Sequence, residues 1–180
     1  MKKILIVVDM INDFVTGKLG SDRAQKIVPN IVTLVGKARE HGVPVIFLKD
    51  AHNMTDKELG IWGEHAMKGS KGSEMIPELK PEKNDIVIEK KWYSAFVDTE
   101  LPEILKKLNA DTLIFTGTST DICVQNNVAA AYFLGYDTIV PSDCTASIDE
   151  EAYEFSLKYM KNIFGTEITS SDKVFWQIWP

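Results

Sequence analysis

The sequence predicts a three-layer α/β/α fold with a doubly wound, mostly parallel, six-stranded sheet in the Rossmann-like order 3-2-1-4-5-6. Short, nearly continuous apolar runs rich in β-branched residues are typical of strands that are buried on both faces. Longer segments with apolar residues at helical spacing separate these runs. Because strands that alternate with helices pair in parallel through right-handed crossovers, the pattern favours one open sheet with helices on both faces.

The individual elements follow from the same pattern. Strands are predicted over residues 4–8, 43–48, 86–88, 112–115 and 138–140. Helices are predicted over residues 22–41, 99–108, 121–135 and 149–164. Gly42 follows the first helix as a stop signal. The last helix begins with acidic residues and carries Lys158 and Lys161 near its end, which matches the direction of the helix dipole.

Two segments fall outside this alternation. Residues 50–73 form one long irregular stretch that holds two of the three histidines. Loops of that length in a compact domain are usually functional or disordered.

The tail Phe175-Trp176-Gln177-Ile178-Trp179 is too aromatic to be left free, so we expect it to complete the sheet or to cover a subunit contact. A homo-oligomer is expected on that basis.

Composition excludes several classes of partner. Of the 180 residues 26% are charged, and the formal net charge is −6, so no basic surplus exists for nucleic acid or for an anionic membrane. Two isolated cysteines without a CxxC motif exclude a disulfide framework and favour a reducing compartment. The first apolar run is shorter than a signal peptide core, and no run is long enough for a membrane span. We therefore expect a cytoplasmic protein.

Three reactive side chains fall at the carboxyl ends of predicted strands, where open α/β sheets bind ligands. Asp9 ends the first strand, Lys90 follows the third, and Cys123 lies in the first turn of the helix after the fourth. The helix terminus is expected to lower the pKa of the Cys123 thiol and to favour a nucleophilic thiolate. A carboxylate could accept its proton, and a lysine could stabilise the anionic intermediate. A plainer interpretation is a buried core cysteine and a surface lysine; Cys144 is expected to be structural.

Motifs for organic cofactors do not occur. The sequence has neither GxGxxG nor GxxxxGK[ST], so no dinucleotide or other organic cofactor is expected.

Three segments resemble, in order and spacing, the signature segments of the isochorismatase-like cysteine hydrolases. They are Ile6-Val7-Val8-Asp9-Met10-Ile11-Asn12-Asp13-Phe14, Lys90-Lys91-Trp92-Tyr93-Ser94-Ala95-Phe96 and Gly117-Thr118-Ser119-Thr120-Asp121-Ile122-Cys123-Val124. Within that family the chain resembles nicotinamidases and proteins related to N-carbamoylsarcosine amidase. The resemblance implies a single isochorismatase-like cysteine hydrolase domain over residues 1–180.

The same resemblance implies a catalytic triad of Asp9, Lys90 and Cys123. It also implies a cis peptide bond between Thr118 and Ser119, with the amides of Ser119 and Cys123 as an oxyanion hole. The implied reaction is hydrolysis of a small nicotinamide-like or N-carbamoylsarcosine-like amide through a thioester, with release of ammonia. Cys123 argues against isochorismatase activity itself, because that branch lacks the nucleophilic cysteine. The alternative is a catalytically idle metabolite-binding module of the same fold.

Asp50, His52 and His65 form a candidate metal site. One carboxylate and two imidazoles suit a divalent metal such as Zn, Mn or Fe, and the matching residues of nicotinamidases hold a metal. Ala51 departs from that family, which usually has an aromatic residue there. The alternative is a loop stabilised by hydrogen-bonded histidines. Phe14 and Trp92 are candidate walls of a substrate pocket, or core packing.

Overall fold

The computed structural model describes the backbone of residues 2–178 and the side chains of residues 2–174. Its strands are β1 (Lys3–Val8), β2 (Val45–Asp50), β3 (Ile86–Lys90), β4 (Thr112–Thr118), β5 (Asp137–Pro141), β6 (Thr145–Ala146) and β7 (Glu167–Thr169). Its helices are α1 (Asn12–Val15), α2 (Asp22–Glu40), α3 (Leu59–Trp62), α4 (Leu101–Lys107), α5 (Gln125–Phe133), α6 (Glu150–Phe164) and α7 (Ser171–Ile178). A π-helical turn, Thr120–Val124, joins β4 to α5.

The strands form one parallel sheet in the order β3-β2-β1-β4-β5-β7. This confirms the predicted doubly wound sheet, and β7 is its sixth strand. The structure adds β6, a strand of two residues that pairs in parallel with the end of β4 and brings the sheet to seven strands. A strand of that length has no hydrophobic period, so the sequence pattern does not predict it.

Helices cover both faces of the sheet and make the predicted three layers. On one face, Leu34 of α2 and Val174 of α7 share a buried apolar cluster with Phe47 of β2. On the other face, Leu105 of α4 and Met160 of α6 belong to a second cluster with side chains of β4 and α5. Full burial of one such side chain is worth about 1.5–3 kcal/mol, so the two clusters fix the helices against the sheet.

Local hydrogen bonds set where the two long helices begin. The Ser21 hydroxyl accepts from the backbone N–H of Ala24 at 3.1 Å, at the start of α2. The Asp149 carboxylate accepts from the backbone N–H of Ala152 at 2.8 Å, at the start of α6. Such caps satisfy amide groups that the helix leaves without partners. The two capping residues therefore mark the first residues of α2 and α6.

The aromatic tail is helical up to the last described residue. The backbone of residues 175–178 belongs to α7, so the expectation that this segment completes the sheet is wrong. The strand β7 holds the edge position instead, because its backbone pairs with β5. The side chains of residues 175–178 and the whole of Trp179 lie outside the described residues, so the subunit contact predicted there stays a prediction.

Between residues 2 and 178, no helix has both the length and the apolar character to cross a bilayer.

Candidate active site

Four neighbouring strands bring one reactive residue each to the same edge of the sheet. Lys90 is the last residue of β3, Asp50 is the last residue of β2, and Asp9 directly follows β1. Cys123 follows β4 through the π-helical turn. Because β3, β2, β1 and β4 lie side by side, residues far apart in sequence meet at the topological switch point, where sheets of this kind bind ligands.

A buried lysine holds this group together. Lys90 Nζ lies 2.8 Å from Asp9 Oδ2, 2.5 Å from Asp50 Oδ1 and 3.7 Å from Cys123 Sγ. The backbone N–H of Asp50 donates to Asp9 Oδ1 at 2.9 Å. All four side chains are almost inaccessible to solvent, with at most 5% exposure. A buried charge is costly unless it is paired, and the lysine has two carboxylates as partners.

Burial and neighbouring charges shift the acid–base properties of these groups in different directions. Burial, reinforced by the charge of Asp50, raises the pKa of Asp9 to about 7, against the opposing effect of Lys90. Burial alone would lower the pKa of Lys90, but the carboxylates of Asp50 and Asp9 keep that pKa well above its ordinary value. Lys90 therefore stays charged, while Asp9 can exchange a proton near neutral pH.

The pKa of Cys123 differs from the expectation based on sequence. Burial raises it well above its ordinary value, the charges of Asp9 and Asp50 add to this, and only Lys90 opposes the shift. The prediction of a lowered thiol pKa is wrong, because a sequence motif for a helix terminus does not reveal how deeply the side chain is buried. The resting group is the neutral thiol, and its attack on a carbonyl needs a base.

The peptide bond between Thr118 and Ser119 is cis, at the position that the family resemblance implies. The Thr118 hydroxyl donates to the backbone carbonyl of Ala146 in β6, at 3.2 Å. The Ser119 hydroxyl donates to Asp121 Oδ1 at 2.5 Å, and the carbonyl of Ser119 accepts from the N–H of Ile122 at 3.2 Å. The short strand β6 and the π-helical turn thus fix the segment next to Cys123 from both sides.

A cavity of about 300 Å³ opens over the thiol. Thr118, Ser119 and Cys123 line it on one side. Its walls are mainly apolar, formed by the aromatic residues Phe14, Trp62 and Tyr93 and the aliphatic residues Leu19, Ile122 and Ile148. A volume of this order accommodates a small molecule and lies at the lower end of the range for ligand pockets.

Of the two residues predicted to form pocket walls, one lines the cavity and the other does not. Phe14 lines the cavity, with its ring centroid 5.6 Å from that of His65. Trp92 does not line it; its indole N–H donates to the exposed Asp98 carboxylate at 3.0 Å. The neighbouring Tyr93 faces the cavity instead, and its hydroxyl accepts from the Trp62 indole at 3.1 Å. Trp62 comes from the irregular loop, where no periodicity indicates which side chains face inward.

Asp50, His52 and His65 converge beside the cavity, together with Glu58, which the sequence did not single out. One ligand atom from each of the four buried residues lies within 4.8 Å of the others. His52 Nε2 lies 3.7 Å from Asp50 Oδ2, and His65 Nε2 lies 3.7 Å from Glu58 Oε1. Glu58 stands directly before the short helix α3, and its position between two histidines of one loop was the available signal.

The hydrogen bonds of the two histidines fit a metal centre better than a loop stabilised by its own histidines. His65 Nδ1 lies 2.8 Å from the carbonyl of Gly63, and His52 Nδ1 lies 3.3 Å from Asp56 Oδ2. The opposite nitrogens, His52 Nε2 and His65 Nε2, are buried without a hydrogen-bond partner, as is Asp50 Oδ2. Partners on Nδ1 orient the Nε2 lone pair, which is the arrangement found around metal-binding histidines.

Known proteins resemble this chain in sequence and fold over nearly its whole length. The model of the isochorismatase domain matches residues 3–172. N-carbamoylsarcosine amidase from Thermoplasma acidophilum is 38% identical, with a TM-score of 0.90 over 96% of this chain and 98% of that one. Nicotinamidase/pyrazinamidase from Bacillus subtilis is 32% identical, with a TM-score of 0.90 over 94% of this chain and 100% of that one. Pyrazinamidase of Pyrococcus horikoshii, solved in complex with zinc, is 26% identical, with a TM-score of 0.87 over 94% and 99% of the two chains.

Proposed function

The chain belongs to the isochorismatase family of hydrolases, and from this premise we propose that it is a cysteine amidohydrolase of small amides. The observation that carries the proposal is the convergence of Asp9, Lys90 and Cys123 beside a cavity of about 300 Å³. A thiol, a carboxylate that titrates near neutral pH and a fixed positive charge are what nucleophilic attack on an amide carbonyl requires. Amidases among the related structures support the same reaction class.

In the first half of the reaction, Cys123 Sγ attacks the carbonyl carbon while its proton passes to Asp9. The proton must leave during the attack, because burial keeps the pKa of the free thiol high. The amides of Ser119 and Cys123 stabilise the oxyanion of the tetrahedral intermediate. The C–N bond then breaks and Asp9 returns the proton to the departing nitrogen. Ammonia is released, and the acyl group remains on Cys123 as a thioester.

In the second half, water replaces ammonia. Asp9, again ionised, accepts a proton from the water, whose oxygen attacks the thioester carbonyl. The C–S bond breaks, the carboxylic acid is released and Cys123 recovers its proton. A pKa of about 7 suits Asp9 for accepting and returning a proton in each half of the cycle.

Lys90 acts by position and charge and transfers no proton. Its pKa lies well above the ordinary value, and its ammonium group holds Asp9 and Asp50 at 2.8 and 2.5 Å. The same charge, 3.7 Å from Sγ, stabilises negative charge that develops on sulfur during the attack.

A divalent metal would be held by Asp50, His52, Glu58 and His65. Zinc, manganese and iron each suit this mixture of carboxylates and imidazoles. A metal there would supply a Lewis acid to polarise the substrate. Phe14, Trp62 and Tyr93 supply flat apolar walls on which a planar amide can stack.

The proposal includes the setting of the reaction. Two free buried thiols are compatible with a reducing compartment, and we place the enzyme in the cytoplasm. The substrate is a free small molecule, and we propose that residues 1–180 act as one catalytic domain.

Ammonia release from nicotinamide, pyrazinamide and N-carbamoylsarcosine tests the proposal. We expect release from at least one of them, reduced at least about 1,000-fold in Cys123→Ala and retained in the matched control Cys144→Ala. Chelation that removes activity, restored by a single metal, supports the metal site. Activity retained by Cys123→Ala contradicts the mechanism, and binding without any ammonia release supports the idle binding module instead.

A further inference from the structure

We propose that the cavity selects amides without negative charge and rejects amides that carry a carboxylate. This inference rests on the proposed amidase function and concerns the substrate class of the same site. It separates the nicotinamide-like class from the N-carbamoyl amino acid class, which differ in net charge.

The charged groups around the cavity are predominantly acidic. Glu58, Asp121 and Asp149 line it, and none of its lining residues within the described part of the chain is lysine or arginine. A carboxylate that enters a cavity with mainly apolar walls loses its hydration, and it regains that loss only from a cation or several donors. The cavity offers carboxylates in place of such partners.

Three cations next to cavity-lining residues are already paired. Lys90 lies beneath the cavity between two carboxylates, so its charge is more than balanced there. The Arg23 side chain is bound to the carbonyl of Ser147 and to the Glu150 carboxylate. Lys18 donates to the carbonyl of Glu64 at 2.9 Å. A substrate carboxylate would have to displace one of these contacts to gain a partner.

A bound metal does not change this balance. The charges of a divalent ion and of Lys90 would together be +3, against the five carboxylates of Asp9, Asp50, Glu58, Asp121 and Asp149, and the two imidazoles are neutral ligands. A proton on His65 has the Glu58 carboxylate 3.7 Å away as its counter-charge. The cavity is therefore neutral or negative with the metal and without it.

Two anionic amides and their neutral methyl esters, which are slightly larger than the anions, test the inference. One pair is N-carbamoylsarcosine and its methyl ester, and the other is 5-carbamoylpyridine-3-carboxylate and its methyl ester. We expect kcat/KM for each anionic member to lie about 100-fold below that of its neutral partner, as repulsion by nearby carboxylates at moderate effective dielectric predicts. Equal or higher kcat/KM for the anionic members overturns the inference.

A lysine introduced at the mouth of the cavity tests the same inference, with a lysine introduced elsewhere as the matched control. Ile148 lines the cavity and is 64% exposed, so Ile148→Lys adds a charge at the mouth without disturbing the core. We expect the ratio of anionic to neutral kcat/KM to rise about 10-fold in this variant. Val32→Lys, on the exposed side of α2, should leave the ratio unchanged. An unchanged ratio in Ile148→Lys contradicts charge control at the cavity.

Binding to the Cys123→Ala variant separates this inference from the proposed function. If no amide is hydrolysed by the wild-type protein, the amidase proposal fails, but calorimetry on the variant still compares the members of each pair. Tighter binding of the neutral members upholds charge selection. Tighter binding of the anionic members, or no binding of any member at millimolar concentration, overturns it.

A separate observation, on the outer surface, points to self-association. We infer that a second copy of this chain packs on the aromatic face of α5 and α6, defined by Tyr132, Phe133, Phe155, Tyr159 and Phe164. Phe133 is 75% exposed and Phe155 is 65% exposed. The rings form a continuous row, with centroids 5.8 Å apart for Phe155 and Tyr159 and 5.5 Å apart for Tyr159 and Phe164.

The size of this face fits an interface between copies. With the flanking Leu134 and Ile163, which are 57% and 54% exposed, the apolar surface amounts to roughly 600 Å². That is at the upper limit for the largest patch of a typical monomer, and it approaches the ~800 Å² that each partner buries in a standard interface.

The charges of α6 favour a second copy over an unrelated partner. Its first half carries Glu151 and Glu154, and its second half carries Lys158 and Lys161. When the twofold axis between two copies runs perpendicular to α6, the two α6 helices lie antiparallel, and the acidic half of one lies opposite the basic half of the other. The face is thus complementary to itself.

Sedimentation velocity over micromolar concentrations tests this second proposal. We expect the wild-type protein to be dimeric or larger. Phe133→Glu and Phe155→Glu should each raise the dissociation constant of the oligomer at least 10-fold. Met54→Glu, at an exposed apolar residue of the loop, should retain the wild-type assembly. A monomeric wild-type protein, or assembly unaffected by both aromatic substitutions, overturns the proposal.

Discussion

The turn that carries Cys123 is held by a buried asparagine four residues further along the chain. Asn127 accepts from the N–H of Ala95 at 2.9 Å and donates to the carbonyls of Tyr93 and Cys123 at 3.0 and 2.8 Å. It thereby joins the segment after β3, which follows Lys90 and holds Tyr93, to the start of α5. Sequence reasoning missed this residue, because its role depends on the segment after β3 approaching α5, which no local pattern reveals.

Replacement of Asn127 should therefore destabilise the fold. Asn127→Leu removes three hydrogen bonds to backbone groups, and each buried group that is left unsatisfied costs about 1–3 kcal/mol. We expect the free energy of unfolding, measured by urea denaturation, to fall by about 3 kcal/mol or more. The neighbouring Asn126 makes one exposed hydrogen bond, to the carbonyl of Ile122, so Asn126→Ala should cost less than about 1 kcal/mol. Equal stability of the two variants would show that Asn127 is not structural.

Glu58 provides a second test at the residue scale, on metal affinity. Glu58→Gln removes one negative ligand from the group with Asp50, His52 and His65, so zinc affinity should fall at least about 10-fold. Competition with a chromophoric chelator measures the affinity without reference to activity. Glu64→Gln changes an exposed carboxylate of the same loop and should bind zinc as the wild-type protein does. Wild-type affinity in Glu58→Gln would remove Glu58 from the site.

Some residues of the site could be located from the sequence, by a strand pattern or a motif, and others could not. Asp9, Lys90 and Cys123 lie at or just after the carboxyl ends of strands, so both the strand pattern and the motifs locate them. Glu58 and Trp62 lie in the loop between β2 and β3, where no period marks the inward side. The indole of Trp92 points to Asp98, whereas Tyr93 lines the cavity. A difference of one position in a turn is set by packing, which sequence reasoning cannot resolve.

Among the elements, β4 has the strictest requirement on its residues. Gly117 has a φ of 110°, and a Cβ atom there would lie 1.9 Å from the backbone carbonyl oxygen of Val8 in β1. Only glycine permits both this conformation and this close approach. The end of β4, where the chain turns toward Ser119 and Cys123, therefore depends on that residue.

Two glycine substitutions should consequently have opposite effects. Gly117→Ala forces β4 away from β1, and we expect it to destabilise the fold by more than about 3 kcal/mol. Gly36 lies within α2, and a Cβ atom added there would meet nothing within 4 Å, so Gly36→Ala should stabilise the fold by about 0.5–1 kcal/mol. Thermal unfolding of both variants measures the contrast. A Gly117→Ala protein as stable as the wild type would contradict the close approach of the two strands.

The regular elements were largely predictable, and the short ones were not. Long apolar runs and amphipathic helices such as α2 and α6 appear in the sequence with nearly correct bounds. The helices α1 and α3 have four residues each, and β6 has two. Elements of this length have too few residues to show a period, and tertiary contacts decide them.

At the scale of the whole molecule, topology creates the site. Asp9, Asp50, Lys90 and Cys123 are separated by 41, 40 and 33 positions in the sequence, yet they meet because β1, β2, β3 and β4 are adjacent and parallel. The net charge of −6 fits the same picture. The buried Lys90 lies between two carboxylates, and the mainly apolar cavity above it is also lined by the acidic residues Glu58, Asp121 and Asp149.

The central claim is that Cys123 carries the acyl group during turnover. Rapid acid quench of the wild-type protein with an amide substrate, over the first turnover and the steady state, followed by peptide mass spectrometry, tests it directly. We expect a mass increase equal to the amide minus ammonia on the peptide that contains Cys123, and none on the peptide that contains Cys144. An acyl group on any other residue, or ammonia release at the wild-type rate without Cys123, would contradict it.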